Sequence, residues 1–141
     1  MTTANREKCY ASATQMLIRR EHSKLELEQK LTSKNFNIDD IDYSIQLLIK
    51  NNYQSDKRFA QEFIQMRFNQ GKGPLKITAE LKQRGVDGFD LSEFDFFALA
   101  KKVKNNKFGI NIPTEYKQQA KQKRFLQSRG FSFDQINNAF E

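Results

Sequence analysis

The sequence predicts an all-α protein made of tandem repeats of three-helix units, and three observations predict it. Only two Pro and six Gly interrupt 141 residues, Val occurs twice, and Gln, Lys, Leu and Glu are plentiful, a composition that favours helix over sheet. One spacing recurs three times, as Leu31-x-x-Lys34-Asn35-Phe36-x-x-x-x-Ile41, Leu81-x-x-Arg84-Gly85-Val86-x-x-x-x-Leu91 and Leu126-x-x-Arg129-Gly130-Phe131-x-x-x-x-Ile136. The separations of 50 and 45 residues suit a unit of about three short helices. Helix caps recur with the repeat, so it is physical as well as textual.

The elements follow in order. Helices are predicted near 5–20, 23–34, 38–51, 55–70, 74–84, 90–107, 115–129 and 133–140. Ser23-x-x-Glu26, Asn37-x-x-Asp40, Asp90-x-x-Glu93 and Ser132-x-x-Gln135 each set an oxygen-bearing cap three residues before an acceptor, which satisfies orphan amides at a helix start. Pro74 after Gly73 opens a fifth helix, where a missing N–H costs nothing. Gly85 and Gly130 follow Arg84 and Arg129 as left-handed C-terminal caps, with Asn35 as the tolerated substitute. Apolar stripes at helical spacing mark core faces: Phe59, Phe63 and Met66, and Ile38, Ile41, Ile45 and Leu48. The segment Phe108 to Thr114 reads as the one real connector. Repeats over 1–53, 54–97 and 98–141 would stack into one continuous, elongated and curved body.

Several classes are excluded by the same residues. The longest apolar runs, Leu47-Leu48-Ile49 and Phe96-Phe97-Ala98-Leu99-Ala100, fall far short of the roughly 18 residues a membrane span needs. No apolar secretory core follows Thr2 to Lys8, so a cytoplasmic location is expected. One Cys and one His cannot assemble a zinc site, and no disulfide closes within the chain. No metal, cofactor or small-molecule substrate is expected.

Charge is concentrated. Residues 97–141 carry nine basic and three acidic side chains, whereas 1–53 carry eight and seven, and 54–96 seven and seven. The formal charge of +7 therefore lies almost wholly in the last third, which points to phosphate backbones or an acidic protein surface. Lys117, Lys121 and Arg124 recur at i, i+4 and i+7 on one helical face, while Ala120 and Leu126 turn toward the core. Lys101, Lys102, Lys104 and Lys107 on the preceding helix extend a positive ridge.

Catalytic readings fail on spacing. Gly71-Lys72-Gly73-Pro74 lacks the further glycine and the Ser or Thr of a nucleotide loop, so it is a tight basic turn from which Lys72 projects, with Lys76 one turn on. His22, within Arg19-Arg20-Glu21-His22-Ser23, has no nucleophile nearby in sequence. The acidic groups Asp39/Asp40/Asp42 and Asp90/Glu93/Asp95 sit mainly at helix starts, where capping and the dipole explain them. Cys9 is an incidental or partly buried thiol, and Phe68 and Phe89 are core residues before they are exposed anchors.

Four fragments in order resemble one family, the RecX regulatory proteins: Leu17-Ile18-Arg19-Arg20-Glu21-His22-Ser23-x-x-Glu26-Leu27-x-x-Lys30-Leu31; Asp56-x-Arg58-Phe59-Ala60; Gly71-Lys72-Gly73-Pro74-x-x-Ile77-x-x-Glu80-Leu81-x-x-x-Gly85-Val86; and Ala120-Lys121-x-x-x-Arg124-Phe125-Leu126-x-x-Arg129-Gly130-Phe131. The resemblance spans about residues 11–140. It implies a non-enzymatic regulator that binds the RecA recombinase filament on single-stranded DNA. It further implies inhibition of strand exchange, DNA-stimulated ATP hydrolysis and co-protease activity, and so modulation of DNA repair and the SOS response. Arg19, Arg20, Lys72, Lys76, Lys101, Lys102, Lys104, Lys117, Lys121 and Arg124 are the candidate contacts to RecA or to DNA, single- or double-stranded, and the chain is expected to act as a monomer. The alternative is a helical nucleic-acid-binding module that competes for single-stranded DNA.

Overall fold

The computed structural model describes residues 3–141. Among them are eight helices and no strand: α1 Thr3–Arg19, α2 Lys24–Ser33, α3 Ile38–Lys50, α4 Asp56–Asn69, α5 Pro74–Gln83, α6 Phe96–Phe108, α7 Tyr116–Ser128 and α8 Phe133–Asn138. None is long and apolar enough to cross a membrane. The chain forms two compact units, one running up to Glu62 with Lys82–Phe89, the other comprising Phe63–Leu81 with Asp90–Glu141.

The first unit packs α1 on α3, with α2 against both. Its core is Cys9 and Ala13 of α1, Leu27 and Leu31 of α2, and Ile41, Ile45 and Leu48 of α3, one residue per helical turn from each helix. Full burial of each leucine or isoleucine contributes roughly 1.5–3 kcal/mol. Ile38 was expected in this stripe but is 71% exposed; as the first residue of α3 it lies ahead of the turn that meets the core.

In the second unit α6, α7 and α8 pack on one another, burying Phe96, Leu99, Ala100, Leu126, Phe131, Ile136 and Ala139. Ile77 and Leu81 of α5 and Phe63 and Ile64 of α4 are also buried. Met66, expected beside Phe63, is 44% exposed, and Ile64 takes the inward position instead.

Among the described residues six helix ends carry a residue at positive φ: Asn35, Asn52, Gly71, Gly85, Gly109 and Gly130 have φ of 69, 62, 80, 77, 90 and 96°. At Asn35 the Phe36 amide donates to the Leu31 carbonyl and the Asn35 amide to Thr32, the paired bonds that satisfy the last carbonyls of a helix. Asn52, Gly71 and Gly130 repeat the pattern.

One boundary differs from expectation. The helix predicted from 90 begins at Phe96, capped by the Asp95 carboxylate, which accepts from the Ala98 amide at 3.0 Å. The Asp90 carboxylate instead accepts from the Ser92 amide at 2.9 Å, closing a short turn. Gly88 and Asp90 are poor helix formers, and the segment they begin carries Phe94 and Phe96 onto Phe68, with ring centroids 5.0 and 5.3 Å away. Residues 86–95 therefore hold a turn, and no helix.

Candidate functional site

The polar motif at the α1–α2 corner folds inward on itself. Ser23 and Glu26 form a reciprocal cap, with the Glu26 amide donating to Ser23 Oγ at 3.1 Å and the Ser23 amide to Glu26 Oε1 at 3.0 Å. Arg20 grips the same carboxylate through both terminal nitrogens at 3.1 Å, and Arg84 approaches it at 3.8 Å. Burial alone would raise the Glu26 pKa, but the bonds from Arg20 and from the Ser23 amide hold it below its ordinary value.

His22 is 2% exposed. Lys30 Nζ lies 2.9 Å from its Nε2, and because an ammonium only donates, Nε2 accepts and Nδ1 donates to the Arg20 carbonyl at 3.1 Å. Burial first, then the charges of Arg20 and Lys30, keep the ring below its usual pKa. The Gln54 amide nitrogen donates to the His22 carbonyl at 3.2 Å and to Asp56 Oδ1 at 2.9 Å, and Asp56 also accepts from the Lys24 amide at 2.8 Å. Arg58 donates to Glu21 at 2.7 Å and to the side chain and backbone of Asn52. These motif residues brace a corner. Arg20 is thus tied to Glu26 although its side chain is 46% exposed, and Arg19 is exposed beside it at the end of α1.

In the second unit, two turns are spliced through their backbones. Gly73, ahead of α5, donates its amide to the Arg129 carbonyl at 2.7 Å, and Leu75 donates to the Gly130 carbonyl at 2.9 Å. The carbonyls at the end of α7 thereby satisfy orphan amides at the start of α5. The approach leaves no room for a side chain. A Cβ on Gly73 would lie 2.4 Å from Gly130 C and O, and one on Gly130 2.4 Å from Lys76 Cβ.

Around this splice Arg67, Lys72, Lys76 and Arg129 converge. Arg67 is paired with Glu80 at 3.1 Å and lies over Phe63. Lys72 is pushed below the usual lysine pKa by partial burial and by the charges of Arg129, Lys76 and Arg67, with Glu80 alone opposing. Such crowding of like charge suits an anionic partner. Beside it opens a groove of about 550 Å³ between the end of α4, α6 and α7. Its apolar wall is Phe68, Leu99, Val103 and Phe125, and its cations are Lys102, Lys107 and Arg129. Phe125 lies under Lys107 at 4.9 Å and Arg129 at 5.1 Å, and meets the Phe108 ring edge-on at 5.4 Å.

The ten candidate contacts sort accordingly. Lys72 and Lys76 meet at the splice and Lys102 at the groove. Lys101, Lys117, Lys121 and Arg124 are exposed on α6 and α7; Leu126 of α7 is buried and Ala120 half-buried, as the spacing predicts. Lys104 must be corrected. It is 1% exposed, and its ammonium donates to the Gly109 and Ile110 carbonyls at 3.2 and 3.0 Å, tying the connector to α6. Arg67, Arg129 and Phe125 were missed. Arg129 precedes the cap glycine in the repeat, and the cap explained its position before its side chain was weighed.

Family models match three consecutive stretches: RecX, first three-helix domain, over residues 9–48, the second three-helix domain over 55–93, and the third over 93–140. The Regulatory protein RecX of Vibrio vulnificus (strain CMCP6) is 39% identical over 137 residues, covering 93% of this chain and 90% of that protein. That of Halorhodospira halophila (strain DSM 244 / SL1) is 35% identical over 134 residues, covering 91% and 83%. The crystal structure of RecX from Lactobacillus salivarius superimposes with a TM-score of 0.81 at 25% identity, covering 98% of this chain and 96% of that one.

Proposed function

Because the chain belongs to the RecX family, we propose that it regulates the RecA recombinase by binding its filament on single-stranded DNA. Binding lowers strand exchange, DNA-dependent ATP hydrolysis and co-protease activity, and so tempers DNA repair and the SOS response. The chain acts in the cytoplasm, as a monomer, through contacts from its repeats and without turnover of its own.

The observation that carries this reading is the division among its cations. Arg20 and Arg58 are consumed by carboxylates of their own unit. Lys101, Lys102, Lys117, Lys121 and Arg124 face solvent in a segment with three acidic residues. A nucleoprotein filament offers both phosphates and carboxylates to such a surface.

The test is ATP turnover by RecA filaments preformed on single-stranded DNA, titrated with the chain while its binding to free DNA is followed in parallel. Inhibition is expected well below the concentration at which free DNA is bound, and should weaken as salt rises. Inhibition that only tracks DNA occupancy would favour simple competition for DNA, and no inhibition would remove the RecA reading.

A further inference from the structure

We infer that the α4–α6–α7 groove is a docking site for an acidic peptide segment bearing one apolar anchor residue, presented by a protein partner. The inference rests on the reading of the chain as a protein-binding regulator and adds what the partner must present. About 550 Å³ accommodates a few side chains of an extended segment. Phe68, Leu99, Val103 and Phe125 supply an apolar wall for an anchor. Lys102, Lys107 and Arg129 ring it with positive charge, and no carboxylate of the described residues lines it. An anchor flanked by carboxylates satisfies both halves of this surface.

Single-stranded nucleic acid satisfies one half only. It binds by stacking bases on open aromatic faces, and the rings here are already engaged. Phe68 packs on Phe94 and Phe96. Phe125 carries two cations over its ring and a third contact at the edge of Phe108. The groove is also held in shape. A Cβ on Gly71 would lie 3.0 Å from Val103 Cγ2, so the glycine lets the turn after α4 pack closely on α6, and the Gly73 amide fixes the Arg129 carbonyl at 2.7 Å, so the site is formed before a ligand arrives.

The test is an amide chemical-shift titration of the full chain with a short synthetic peptide, a central leucine flanked on both sides by aspartates, at about physiological salt. Shifts are expected at Gly71, Val103, Asn106 and Arg129. They should require about tenfold more peptide when the leucine is replaced by alanine. They should be abolished by Lys102→Glu with Lys107→Glu, two exposed positions, while amides away from the groove and from the Lys107–Phe125 contact keep their shifts. A thymidine oligonucleotide should not displace the peptide. Absence of peptide shifts at these amides, insensitivity to the leucine, or an oligonucleotide that takes the same amides would overturn the proposal. The titration contains no RecA, so a failure of the filament reading shows in ATP turnover alone and a failure of the groove shows here.

Discussion

A methyl group on Gly130 would meet Lys76 Cβ at 2.4 Å and its amide nitrogen at 2.7 Å, on a backbone already at φ +96°. Two penalties therefore add in Gly130→Ala, left-handed strain of about 1–2 kcal/mol and overpacking of about 1–3 kcal/mol. Gly73→Ala meets backbone at 2.4 Å and should break the bond to Arg129 as well. Gly88 has nothing within 4 Å and no positive φ, so Gly88→Ala should be neutral or stabilise by about 0.5 kcal/mol through the unfolded chain. Urea melts of the three variants check this, and a Gly73→Ala protein as stable as the parent would mean that the two turns are not spliced. Legibility in sequence divides at the same scale. Gly130 was readable as a cap because its αL conformation is local, following from Leu126 to Phe131 alone. The close approach of Gly73 to Gly130 is not local, since 56 intervening residues decide it. Lys104 was spelled like its neighbours Lys101 and Lys102, and only the fold of the connector revealed that its ammonium answers two carbonyls.

Helix ends show why one boundary misled. Asp90-x-x-Glu93 has the same spelling as Ser23-x-x-Glu26, but a cap starts a helix only where the following turn can stay helical, and the rings of Phe94 and Phe96 are committed to Phe68. Asp95→Ala should therefore cost about 1 kcal/mol by uncapping α6. Asp90→Ala removes an exposed turn contact and should stay within about 0.5 kcal/mol. Equal losses would place the helix start back at 90. The α1–α2 corner makes a second prediction. The folded pKa of His22 is lowered from 6.5, so the folded corner disfavours the imidazolium. Its contribution to stability is present above pH 6.5 and is lost as pH falls from there through the folded value. Glu26, lowered from 4.5, contributes above pH 4.5 and is lost in turn as pH falls through its own folded value. The melting temperature should fall in two stages on acidification, and His22→Gln should erase the upper stage while keeping the lower. An unchanged upper stage in that variant would assign it to another group.

Over the whole molecule, charge is what distinguishes the last third, and the exposed face of α7 is where it is least compensated. Lys117, Lys121 and Arg124 are all exposed, so replacing them with glutamate should leave helicity intact and shift stability by no more than about 0.5 kcal/mol each. The triple reversal takes the formal charge from +7 to +1. If position on the molecule decides recognition, inhibition of RecA ATP turnover should weaken by about tenfold or more. If net charge alone decides, any three reversals should serve. Lys8, Lys24 and Lys57 are exposed in the first unit, and their reversal produces the same +1. Lys24 and Lys57 lie in the first turns of α2 and α4, where a carboxylate suits the helix dipole. The two triple variants, matched in charge and compared at several salt concentrations, separate the alternatives. A selective loss with the α7 set marks that face as part of the interface, whereas equal losses reduce the basic segment to long-range attraction, with the specific contacts lying elsewhere on the chain.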